Sequence, residues 1–179
     1  MTNLKYPLAI GLYSGEDSTS SFSVPGRETS ETANLASDLA YHLDIGRLIM
    51  TGINADRMVE ISKSRYPNLN SEIIAMSGNG DIVEDVVELK ARSVAPNISR
   101  FIVCSVDYKK ELTEFVFDQV FGKDISIDFR YVDTKKTAIV SGTDRHIDRK
   151  ERSNLRAARR KLGATTFSNR LPFRQKVSL

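Results

Sequence analysis

The chain has 179 residues, 40% of them hydrophobic and 27% charged, a balance that excludes collagen-like, low-complexity and wholly disordered chains. Its formal net charge of +3 conceals an asymmetry: residues 1–133 hold 13 Lys/Arg against 20 Asp/Glu, whereas residues 134–179 hold 13 against 3. No apolar run approaches the roughly 18 to 20 residues that span a bilayer, the N-terminal residues lack the apolar region of a signal peptide, and a single cysteine, Cys104, beside only His42 and His146 excludes an internal disulfide and a structural zinc set. A cytoplasmic chain of one compact domain, 1–133, with a basic C-terminal extension, 134–179, is expected.

Residues 8–13 form a short apolar run ended by Ser14-Gly15-Glu16-Asp17, which predicts a first strand and a long polar loop. Thr29 or Ser30 is then expected to cap a helix whose inner face carries Ala33, Ala36, Leu39, Ala40 and Leu43, ending before Gly46. A second strand spans 47–51 and is closed by Gly52; a helix over 55–66, with Met58, Val59 and Ile61 inward, stops at Pro67. A third strand over 72–76 leads through Ser77-Gly78-Asn79-Gly80-Asp81 into a helix carrying Ile82, Val83, Val86, Val87 and Leu89, with Asp81 as its cap. Strand 101–105, helix 112–121 and strand 125–132 complete the series. Beyond it, 137–140 reads as a short edge strand and 153–162 as a helix capped by Ser153 and ended at Gly163.

Repeated βαβ units of this spacing require helical, right-handed crossovers, so the fold class is α/β: a Rossmann-like, doubly wound, mainly parallel sheet of about five strands. Ligands of such sheets sit beyond the carboxyl ends of the strands. The candidate ligand-binding residues are therefore Ser14, Glu16, Thr51, Gly52, Asn79, Asp81, Glu84, Ser105 and Asp107. A polar rim of this kind suits a small polar ligand, and ordinary loop solvation produces one as well. Dinucleotide and Walker fingerprints are both missing, and neither histidine is placed to serve a hydrolase nucleophile. No activated nucleophile or general base stands out, so catalytic residues are unassigned, and Cys104 reads as a buried apolar residue. No metal is assigned: Glu16, Asp17, Asp81, Glu84 and Asp107 are hard oxygen donors, but caps and turns account for them equally well.

Arg27-Glu28 before an Ala-rich helix, Thr51-Gly52 after the second strand, and Asn79-Gly80-Asp81-Ile82-Val83-Glu84-Asp85 opening a helix together resemble the YdcF/SanA-like bacterial family of Rossmann-like proteins over roughly residues 8–133. Ser105-Val106-Asp107-Tyr108 is similar to that family's fourth motif, in which Thr-Ser-Asp-Tyr is followed by His and, three residues on, Arg. This chain departs from the family pattern with Ile82 in place of Thr, Lys109 in place of His and Leu112 in place of Arg. The resemblance implies a nucleotide-like cofactor such as S-adenosylmethionine.

The basic tail offers Arg149, Arg152, Arg156, Arg159, Arg160 and Lys161, which as a helix are expected to spread around the axis instead of forming one stripe. Its partners are the phosphate backbone of a nucleic acid, an anionic membrane surface, or the acidic body of the same or a neighbouring subunit, which leaves oligomer formation open. Two functions follow. The first is binding of a small polar or nucleotide-like ligand at the rim; the second is a catalytically degenerate α/β domain that acts as an interaction or nucleic-acid-backbone-binding component through the tail.

Overall fold

Short apolar runs, too short for buried helices and separated by amphipathic stretches, pair side by side because each has one apolar set for either face of a sheet. In the computed structural model, which describes residues 7–13, 26–93, 98–123, 125–134 and 144–168, the elements follow in the order β1 (Leu8–Leu12), α1 (Arg27–His42), β2 (Arg47–Gly52), α2 (Ala55–Arg65), β3 (Glu72–Ser77), α3 (Ile82–Ser93), β4 (Arg100–Val106), a 3-10 turn (Asp107–Lys109), α4 (Lys110–Phe121), β5 (Ser126–Val132) and α5 (Asp144–Ser168). All strand pairs are parallel and the sheet order is β3-β2-β1-β4-β5. The chain winds outward from β1 to β3. It then crosses back through α3 to place β4 on the free side of β1, with Ile10 opposite both Ile49 and Val103. The order therefore reverses between β1 and β4, and their carboxyl ends bound the switch point at which such sheets hold ligands.

Alternation along the strands sorts two cores. Leu8, Ile10 and Leu12 of β1, with Phe101 and Val103 of β4, pack under Val83, Val86 and Leu89 of α3 and Val116, Phe117 and Phe121 of α4. Ala9 and Tyr13, with Leu48, Met50, Ile102 and Cys104, pack under Ala33, Ala36 and Ala40 of α1 and Met58 of α2. The second layer is tight because small residues face small residues: a Cβ on Gly11 would lie 2.5 Å from Met50 Sδ and 3.2 Å from Ala36 Cβ.

Several local expectations change. α1 begins at Arg27 with Gly26 as its N-cap, so neither Thr29 nor Ser30 caps it; the Ser30 hydroxyl instead donates to the Gly26 carbonyl at 3.0 Å. Leu43 and Val87, read as inward, are exposed at 41% and 48%. Asp81 does cap α3, its Oδ1 accepting from the Val83 and Glu84 amides at 2.9 and 3.4 Å. α5 runs from Asp144 to Ser168, so Ser153 does not cap it and Gly163 does not end it. The reason is tertiary: Ala158 and Leu162 are buried against the α3–α4 layer, which offsets the cost of about 1 kcal/mol for an interior glycine. The strand expected over 137–140 lies outside the described residues. Among the described residues no helix is long and apolar enough to cross a membrane.

Candidate functional site

The expected rim divides into parts with different tasks. Ser14 and Glu16 lie outside the described residues. Thr51 is buried at the end of β2, its carbonyl accepting from the Tyr13 amide at 3.2 Å, and Gly52 takes a positive φ of 117° where the strand leaves the sheet. Asp107 bonds the Tyr108 amide at 2.8 Å, the Thr134 hydroxyl at 2.5 Å and the Thr134 amide at 3.3 Å, and so ties the end of β4 to the end of β5. Ser105 is buried, with no hydrogen-bond partner for its hydroxyl among the described residues.

Asn79, Asp81 and Glu84 sit at the opposite end of the sheet, after edge strand β3. The Asn79 side chain bonds the Asp81 amide at 2.9 Å and the Glu84 carboxylate, and Lys161 of α5 donates to Asp81 at 2.8 Å and to Glu84. At Asp81 burial works to raise the pKa, but the bonds from Lys161 and from the Val83 and Glu84 amides outweigh it and leave the carboxyl below its ordinary range. Glu84 is lowered too, first by Lys161 and then by Asn79, and Lys161 is raised by both carboxylates. Asp81 and Glu84 thus hold α5 while Asp107 clamps β5. Among the described residues no group of three or more His, Cys, Asp and Glu side chains is arranged to hold a metal ion.

A second cluster forms at the switch point. Tyr13, at the end of β1, is buried, and its hydroxyl is 3.0 Å from that of Tyr108 after β4. Lys109, 8% exposed, places its ammonium 4.5 Å from the centre of the Tyr13 ring, a cation–π contact that fixes the charge at this edge. Burial pushes the Glu151 carboxyl of α5 upward in pKa, with the Lys109 charge and a hydrogen bond from Asn154 opposing it. The first turns of α1, which follow β1 and therefore start at the same edge, bury Glu28 and Thr32, and the Thr32 hydroxyl has no hydrogen-bond partner among the described residues. Buried polar atoms left in this way are rare enough in proteins to need a reason.

α5 spans both clusters. Glu151 and Lys161 are ten residues apart in sequence, about 15 Å along a helix. The strands after which their partners sit, β4 and β3, are three strand spacings apart, about 14 Å. α5 therefore lies along the carboxyl edge of the α3–α4 layer, from the 3-10 turn to the first turn of α3. Its basic residues differ in their contacts: Lys161 bonds Asp81, Arg159 lies 5.6 Å from the Phe115 ring centre, and the exposed Arg149, Arg152, Arg156 and Arg160 form no ion pair among the described residues.

Cys104 is buried in β4, where desolvation raises its thiol pKa and suppresses the thiolate. His42 is the last residue of α1, remote from the rim. A depression of about 400 Å³ between α1 and α2 is lined by Arg57, Glu60 and Arg65, but Arg57 and Glu60 pair with each other and Arg65 pairs with Asp38, and no strand end reaches it. Sequence reasoning passed over Tyr13, Glu28, Lys109 and Glu151 as site residues. Lys109 directly follows the Asp107-Tyr108 pair at the end of the fourth strand, the place in the sequence where a rim residue is expected. The chain matches no protein-family model, no curated protein and no solved structure.

Proposed function

We propose that the chain binds a small polar, nucleotide-like ligand at the carboxyl rim of the sheet, centred on the β1/β4 switch point, with Lys109 facing an anionic group of that ligand. The observation that carries this reading is Lys109, a residue 8% exposed whose ammonium lies 4.5 Å from the Tyr13 ring centre, at the point where the strand order reverses. A cation held in low dielectric attracts phosphate or carboxylate more strongly than one in water. The Tyr108 and Tyr13 hydroxyls and the Glu151 carboxyl add polar groups beside it, and the start of α1 adds helix N-terminal amides at the same edge. No reaction is assigned to the site.

Calorimetric titration of wild type and Lys109→Met with ADP, S-adenosylmethionine and inorganic phosphate tests the reading. Methionine keeps an apolar stem over Tyr13 and removes the charge. At about 100 times its dissociation constant, a bound probe adds about 2.7 kcal/mol to wild-type stability, and the variant loses that gain. Failure of every probe to bind wild type, or equal binding by Lys109→Met, overturns the reading.

A further inference from the structure

The two sides of α5 have different partners. Leu155, Ala158 and Leu162 face the α3–α4 layer, and Glu151 is half-buried on that side. Arg149, Arg152, Arg156 and Arg160 recur at intervals of three, four and four residues, so they share the opposite face, over about 16 Å of helix. All four are exposed, and none forms an ion pair among the described residues. Docking of the apolar face, with Lys161 turned to Asp81 and Glu84, thus converts a generally basic helix into a one-sided arginine row.

We infer that this row is a docking surface for the phosphate backbone of a nucleic acid. Arginine forks match phosphate oxygens in bidentate geometry, and a row along one helix face follows a linear polyanion. A lipid surface fits less well, because a helix that lies in a membrane interface inserts its apolar face, and that of α5 is already buried in the protein. A protein interface centres on an apolar or aromatic anchor, and the residues between the arginines on this face are Ser153 and Ala157. The body over 1–133, with 20 acidic against 13 basic residues, is net acidic and disfavours the approach of an extended polyanion anywhere but along α5. Such contacts read backbone and not bases, so binding is independent of sequence and steeply dependent on salt.

The test is fluorescence anisotropy of the full chain with a short labelled duplex of mixed sequence, across a salt series. Four phosphate contacts give a log–log salt slope of about −3.6, which is about 150-fold weaker binding at 200 mM than at 50 mM salt. Arg156→Gln shrinks the slope by about 0.9, and Arg152→Gln with Arg156→Gln and Arg160→Gln together reduces it to about −0.9. Lys123→Gln, an exposed cation on the body, leaves it unchanged. Thermal unfolding of each variant confirms that these surface changes leave the fold intact, and the single Arg156→Gln variant carries the test if the triple variant does not fold. The inference is overturned if wild type does not bind the duplex at low salt, if the arginine variants keep the wild-type slope, if Lys123→Gln lowers it equally, or if wild type binds phosphatidylserine vesicles and not the duplex.

Discussion

Lys161 Nζ lies 2.8 Å from Asp81 Oδ2, a contact between residues 80 positions apart that fastens the C-terminal helix to the start of α3. The same ammonium also bonds Glu84, so one cation answers two carboxylates at a helix N-terminus. Asp81 carries a second duty as the α3 cap. Its charge therefore matters both to the local helix and to the seating of α5.

This latch sets an acid-sensitive stability. Both carboxyls are lowered in the folded chain, so their contribution is complete above the unfolded value of about 4 and is lost as pH falls through the lower folded values. Lys161→Met is expected to lower the urea midpoint at about pH 7, and its difference from wild type is expected to close as pH falls well below about 4. A difference that stays constant across that range would mean that Lys161 acts through packing alone.

Glu151 has the opposite sign. Burial raises its folded pKa against the opposing Lys109 charge, so folding disfavours the ionised form, and stability declines as pH rises from the unfolded value of about 4.3 through the raised folded one. Glu151→Gln keeps the shape and an acceptor for Asn154 without the charge. The variant is expected to melt at a higher temperature than wild type near neutral pH, with the two converging in acid, as read by thermal unfolding across pH.

Neighbouring valines of α3 separate a helix pattern from its packing. Val86 is fully buried and Val87 is 48% exposed. Val86→Ala is expected to cost about 2 kcal/mol from two lost methyl groups and a partial cavity. Val87→Ala is expected to stay within about 0.5 kcal/mol of wild type. Denaturant midpoints of the two variants decide it.

Gly11 sets how closely α1 approaches the sheet. The Met50 sulfur can swing aside from a new methyl group, but Ala36 Cβ, 3.2 Å away, is fixed to the α1 backbone. Gly11→Ala is expected to destabilise by about 1 to 3 kcal/mol through overpacking, measured by urea unfolding. A neutral result would mean that α1 shifts away from β1 without loss.

The sequence by itself determined the succession of strands and helices, because apolar spacing, Pro67 and the Asp81 cap act within a few residues of where they stand. That succession was enough to imply a parallel, doubly wound sheet. Only the tertiary structure decided which polar groups meet. Asn79, Asp81 and Glu84 read as ligand-rim candidates in sequence; in the fold Asp81 and Glu84 hold Lys161, whose approach depends on where α5 docks, and Asn79 bonds Glu84. Lys109 looks like a departure from a motif, yet the reversal of strand order sets it beside Tyr13. The arginine row is likewise invisible in composition, since one face of α5 is defined as outer only when Ala158 and Leu162 have buried the other. Periodicity assigns residues to faces locally, whereas the partner of a face is chosen by contacts far apart in the chain, which a single sequence does not encode in any short-range pattern.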